Sequence, residues 1–130
     1  MNEQGLQIKS RWDGEESVCL FTPRPEHMAI PGMVYGGLIA SLVDCHGTGT
    51  AAAAAFRAAG AEPGTEDTFR FVTASLHVDY VAPTPLGPPI ELRGVVEEIK
   101  GRKVVVNVTV FVNGAFTARG RVVAVRMPGS

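Results

Sequence analysis

At 130 residues, 45% hydrophobic and 19% charged, the chain has the size of one domain with one core, far from the polar make-up of chains that stay unfolded. Twelve Lys+Arg against 13 Asp+Glu leave a formal net charge of -1, which argues against a nucleic-acid or anionic-membrane binder. Two cysteines, Cys19 and Cys45, are too few for a disulfide framework or a four-cysteine zinc site, and polar Met1 to Lys9 lacks the apolar run of a cleaved secretion signal, so a reduced, cytoplasmic protein is expected.

In chain order, Gly5–Trp12 and Ser17–Phe21 read as short strands joined at the turn-forming Asp13-Gly14. Pro23, Pro25 and Pro31 with Gly32, Gly36 and Gly37 are expected to exclude regular structure between Thr22 and Gly37. A helix follows from about Gly37 to Ala59, spanning about 33 Å at 1.5 Å per residue. Leu38, Ile39, Ala40, Leu42 and Val43 cover most of its circumference, the pattern of a helix surrounded by protein. Asp44, His46, Thr48 and Thr50 interrupt this apolar stretch well before the roughly 20 residues that a membrane span requires.

Beyond the breaker at Ala61–Gly64 the period changes to two. Val72, Ala74, Leu76, Val78 and Tyr80 fall on one face of a strand and Thr73, Ser75, His77 and Asp79 on the other. Pro83–Pro89 is a turn-rich link to Ile90–Ile99. Lys100–Lys103 is a hairpin tip leading into Val104–Val112, and Asn113-Gly114 is a strong hairpin turn leading into Phe116–Arg126. One helix wrapped by a curved antiparallel sheet accommodates both patterns. The expectation is an α+β hot-dog fold occupying residues 1–130 as a single domain.

The run His27-x-x-x-Pro31-Gly-x-Val-Tyr-Gly-Gly37, with Asp44 seven residues further on, resembles the signature of hot-dog acyl-CoA thioesterases of the phenylacetic-acid-degradation type. Leu76, the stretch Val78-Asp-Tyr-Val-Ala-Pro83, Pro85-Leu-Gly87, Gly101-Arg-Lys103 and Gly120-Arg121 match that family's sheet in order and spacing, so the resemblance covers nearly the whole chain. It implies an acyl-CoA substrate, hydrolysis of its thioester without a metal or redox cofactor, and a homodimer or dimer of dimers with active sites at the subunit interface.

The resemblance assigns polarisation of the thioester carbonyl to the Gly36 amide, with Gly37 adjacent. Free N–H groups and the positive end of a helix dipole suit an oxygen that gains negative charge. As residues alone, the glycines serve equally for a tight turn or close packing. The family's carboxylate, nucleophile or base for water, falls on Asp44; the other readings are a salt bridge to an arginine such as Arg70 or a hydrogen bond to a hydroxyl. The hydroxyl that holds the attacking water falls on Thr73, otherwise an ordinary strand former. Gly36 and Asp44 are about 12 Å apart along one helix, whereas groups acting on one carbonyl must approach to about 3–3.5 Å. If both act on one thioester, as the resemblance implies, they should come from different chains.

Tyr35 stands where the family usually has a histidine, and its phenol is a possible donor to substrate. Ala29 stands near the family's amide side chain, leaving His27 or His46 as a second donor. Arg102 and Lys103, with Arg70, are candidates for the phosphates of coenzyme A or are solvated charges. Met28, Met33 and Phe56 are acyl-wall or core residues, Cys45 is a small buried hydrophobe, and His77 lies opposite the core. Two rival functions remain: an acyl-thioester hydratase, which needs an acid and a histidine converging on substrate, and an acyl-CoA-binding module without turnover.

Overall fold

The computed structural model describes residues 10–13, 16–22, 28–30, 33–34, 36–60, 70–85 and 88–127. The order is β1 (Ser10–Asp13), β2 (Glu16–Phe21), β3 (Met28–Ile30), β4 (Met33–Val34), α1 (Gly36–Ala59), β5 (Phe71–Tyr80), β6 (Ile90–Lys100), β7 (Lys103–Val112) and β8 (Ala115–Arg126). An antiparallel six-stranded sheet runs β1-β2-β6-β7-β8-β5, so β5 is an edge. α1 packs on it against β5, β6, β7 and β8. This is the expected hot-dog arrangement.

One departure is local. β3 and β4 pair within the segment expected to be irregular, Met28 opposite Val34 and Ile30 opposite Met33. The prolines fall outside the paired residues, so the backbone N–H groups that a ladder needs are present. The β7–β8 turn forms as its sequence requires, with both Asn113 (φ 52) and Gly114 (φ 78) in the left-handed region. At the helix end Gly60 (φ 63) turns the chain away, its N–H donating to the Arg57 carbonyl at 3.2 Å.

The helix is buried along one stripe rather than all round. Leu38, Ile39, Leu42, Val43, His46, Gly47, Thr50 and Ala51 face the sheet, whereas Gly37, Ser41 and Gly49 are exposed and Ala40, Asp44, Cys45 and Thr48 are half-buried. Ala40 lies off this stripe although it is apolar, because a methyl group tolerates either environment. The stripe meets Leu92, Val106, Val108, Val110, Ala118, Val122 and Ala124 in the core. Two reciprocal notches seat it: a Cβ on Gly47 would lie 2.5 Å from Val122 Cγ2, and one on Gly120 would lie 2.4 Å from Val43 Cγ1.

β5 carries a bulge. Thr73 opposes Ala124 and Ser75 opposes Val123, leaving Ala74 as an extra residue. Ala118, Val122 and Ala124 are buried, so their partners Tyr80, Leu76 and Thr73 share the helix-facing side. The simple alternation put Thr73 with Ser75, His77 and Asp79 on the opposite side; one inserted residue reverses the parity.

Candidate active site

The bulge brings Thr73 to Asp44. Thr73 Oγ1 donates a hydrogen bond to Asp44 Oδ1, tying the edge strand to the helix. The second oxygen, Oδ2, takes no hydrogen bond among the described residues, and no ion pair reaches Asp44 among them either. The arginine alternative for Asp44 is thereby replaced by a hydroxyl partner. Thr48 Oγ1 donates back to the Asp44 carbonyl at 2.9 Å, keeping its own hydroxyl on the helix. Cys45, half-buried rather than buried, has its thiol pushed up by burial and by the neighbouring Asp44 charge. It is a poor nucleophile at neutral pH.

Gly36 and Gly37 open α1 and are both exposed. Their N–H groups lie in the first turn, where an α-helix supplies no internal acceptor. Tyr80, at the far end of β5, donates its hydroxyl to the Gly36 carbonyl at 2.6 Å. A Cβ on residue 36 would lie 3.4 Å from the Tyr80 ring, so the ring closes directly over this glycine. Ser41 Oγ donates to the Gly37 carbonyl at 2.9 Å. The Tyr80 contact was not anticipated from sequence; the available signal was the alternation that put Tyr80 on the core side. Asp44–Thr73 and Gly36–Tyr80 thus form two separate clusters at opposite ends of β5.

His46 is not placed to serve as a second donor. It is 1% exposed, and its Nε2 lies 3.0 Å from both the Ser17 carbonyl and the Ser17 Oγ. Ser17 Oγ also lies 2.6 Å from Thr50 Oγ1. Gly94 closes over this network, since a Cβ there would sit 2.7 Å from Ser17 Oγ. Burial holds the imidazole pKa below its ordinary value, partly offset by the bond to the Ser17 carbonyl. Polar residues within an apolar run gave no sign of one another, because their contacts span 29 and 33 positions.

Arg102 is exposed at the β6–β7 turn, and Lys103 opens β7 with its Nζ 3.6 Å from Glu98. Both lie at the Thr73 end of the sheet, because Lys103 opposes Val125, which opposes Val72. Tyr35 and His27 lie outside the described residues, as do the side chains of Met28 and Met33. Phe56 is half-buried late in the helix, about 18 Å along its axis from Asp44. His77 faces away from the core as expected, 3.0 Å from Asp79, which also meets Arg119 at 3.4 Å. Among the described residues no group of three or more His, Cys, Asp or Glu is arranged to hold a metal, and no helix is long and apolar enough to cross a membrane.

A helix laid on an antiparallel sheet in this order is the hot-dog fold. Residues 31–115 match the thioesterase superfamily, and the chain belongs to that family. It is 51% identical to a thioesterase superfamily protein from Shewanella loihica PV-4, whose crystal structure superposes with a TM-score of 0.76 over 93% of this chain and 91% of that one. The Acyl-coenzyme A thioesterase THEM4 of Xenopus laevis is 39% identical over 67% of this chain and 33% of its own. The chain therefore spans about a third of the length of the curated relatives it matches. The PaaI protein from the phenylacetic acid degradation operon of E. coli shares the fold, with 17% identity and a TM-score of 0.72 over 95% of this chain and 81% of that one.

Proposed function

We propose that this chain is a cytoplasmic acyl-coenzyme A thioesterase that hydrolyses its substrate to free acid and coenzyme A. The observation that carries the reading is the Thr73–Asp44 hydrogen bond: it holds one carboxylate oxygen, while Oδ2 takes no hydrogen bond among the described residues. In this mechanism Oδ2 takes a proton from water as the water oxygen attacks the thioester carbonyl. The Gly36 N–H, with Gly37 beside it, holds the oxyanion. The C–S bond then breaks and the proton passes to the departing thiolate. The acyl-coenzyme A thioesterase relatives at 39% and 33% identity support the substrate class. Arg102 and Lys103, at the end of the sheet that carries Thr73, are proposed to meet the phosphates, and Tyr35 and His27 are proposed as hydrogen-bond donors to the substrate.

We also propose that the active site is shared between two subunits. Gly36 and Asp44 are about 12 Å apart on one helix, too far to act on one carbonyl. β5 supplies the means to bring them together. Among the described residues it is an edge of the sheet, and Val72 (48%), Leu76 (40%) and Tyr80 (54%) are exposed along it. Thr73 lies near one end of β5 and Tyr80 at the other. A second copy added antiparallel along this edge sets the Tyr80–Gly36 end of one chain beside the Thr73–Asp44 end of the other.

The test is thiol release from short, long and aromatic acyl-CoA esters by the wild type and by Asp44→Asn and Thr73→Val. The expected result is turnover that falls by roughly 10²–10⁴-fold in Asp44→Asn and less in Thr73→Val. Full activity in Asp44→Asn would remove the mechanism. Loss of enoyl-thioester absorbance without thiol would instead establish a hydratase, and calorimetric binding without any turnover an acyl-CoA-binding module.

A further inference from the structure

The hydrogen bond from Tyr80 ends on the carbonyl oxygen of Gly36 at 2.6 Å, and the N–H on the other side of that same peptide plane belongs to Gly37. A donor on the carbonyl oxygen draws electron density through the amide and makes the N–H of that unit a stronger donor. The planar peptide also fixes the direction of this N–H once its oxygen is held. The distance is at the short end for a neutral O–H donor. A Cβ on Gly36 would be only 3.4 Å from the Tyr80 ring and hydroxyl, so the phenol packs against this glycine. Tyr80 comes from the edge strand, 44 positions away in sequence, and its hydroxyl joins β5 to the first residue of the helix.

We propose that Tyr80 is a positioning residue for the thioesterase reaction: through the Gly36 carbonyl it orients and strengthens the Gly37 N–H as a second donor to the thioester oxygen, beside the Gly36 N–H. This rests on the reading that the start of α1 faces the thioester. Gly37 then acts as more than a conformational spacer, and the side chain that governs it lies on the opposite element of the fold. The Gly37 carbonyl is itself held by Ser41 Oγ at 2.9 Å, so the two peptide units that begin the helix are both fixed from their oxygen sides.

Tyr80→Phe removes the hydroxyl and keeps the ring. In the ¹⁵N-labelled protein the Gly37 amide proton should move upfield in this variant, and in thiol-release assays kcat should fall about tenfold with KM changed less than twofold. Site-specific incorporation of 3-fluorotyrosine at position 80, at a pH where the phenol stays protonated, provides a better donor on the same ring; it should move the Gly37 proton downfield and restore or raise kcat. A structural prop would not track donor strength in this way. An active wild type with unchanged kcat in Tyr80→Phe, or a Gly37 resonance indifferent to the hydroxyl and the fluorine, overturns the assignment. Should the wild type release no thiol, the thioesterase reading fails by itself, and the Gly37 resonance still decides whether Tyr80 polarises that amide. If Tyr80→Phe does not fold, the fluorotyrosine protein carries the test, with no change in kcat or in the Gly37 resonance counting against the proposal.

Discussion

Adding a single methyl group at Gly120 tests how the helix is held over the sheet. The new Cβ would lie 2.4 Å from Val43 Cγ1 and 3.2 Å from the His77 carbonyl oxygen, with Val43 Cβ at 3.5 Å. The first contact is far inside van der Waals range and both partners are buried, so α1 must shift or Val43 must leave its rotamer. Overpacking of this kind destabilises by about 1–3 kcal/mol. Val43 is 0% exposed, and Val43→Ala removes two buried methyl groups for about 2 kcal/mol including the residual cavity. Together the two changes should be less damaging than their sum, because the alanine methyl at 120 occupies space vacated by Cγ1 while Val43 Cβ is already at an ordinary distance. We expect Gly120→Ala/Val43→Ala to be more stable than additivity by roughly 1–2 kcal/mol. For a chain of this length that corresponds to about 3–10 °C in Tm. The assay is a double-mutant cycle from urea unfolding, with thermal melts in parallel. Additive single effects, or a Gly120→Ala protein as stable as the wild type, would refute the notch as the element that sets the helix height.

Two other outcomes follow from the geometry. His46 is neutral in the fold because burial lowers its pKa, so the unfolded chain takes up its proton at higher pH than the folded one. Its contribution to stability is therefore complete above the ordinary value of about 6.5 and is lost as pH falls through the lowered folded value; urea midpoints between pH 8 and 5 should fall on the acid side, and a flat profile contradicts a neutral buried ring. On the edge strand, Leu76→Lys places a charge where a second copy is proposed to pair. Sedimentation should then report a monomer with unchanged helix content and at least a hundredfold less thiol release (order of magnitude from loss of an oxyanion donor), whereas a fully active monomer would contradict a site shared between chains.

The elements were legible in the sequence wherever their cause is local. Asn113-Gly114 carries its own backbone preference, and the helix from Gly36 to Ala59 agrees within a residue with the expected start. Asp44 and Gly36 are singled out by the family resemblance, since an acid in an apolar helix and a glycine pair at its start each have an ordinary structural reading as well. What sequence could not provide was the face of Thr73, since the bulge is settled by how β5 pairs with β8 and leaves no mark on the alternation itself. The same holds for Tyr80 on Gly36 and for Ser17, His46 and Thr50, whose bonds join distant parts of the chain. Small residues hid the sidedness of the helix, because alanine, glycine and serine accept either surroundings.

The extra residue at Ala74 makes strand register a chemical variable. A slip that straightened the bulge while keeping Ser75 opposite Val123 would set Ala74 against Ala124 and turn Thr73 outward. The hydroxyl would leave the carboxylate without any side chain having changed, and Asp44 would face a methyl group instead. The same acid and the same threonine are thus compatible with two local chemistries, and the sheet alignment selects between them. A neighbour that added its own strand to the free edge would hold that alignment, so assembly would secure the hydroxyl partner of Asp44 as well as bring the second chain to the site.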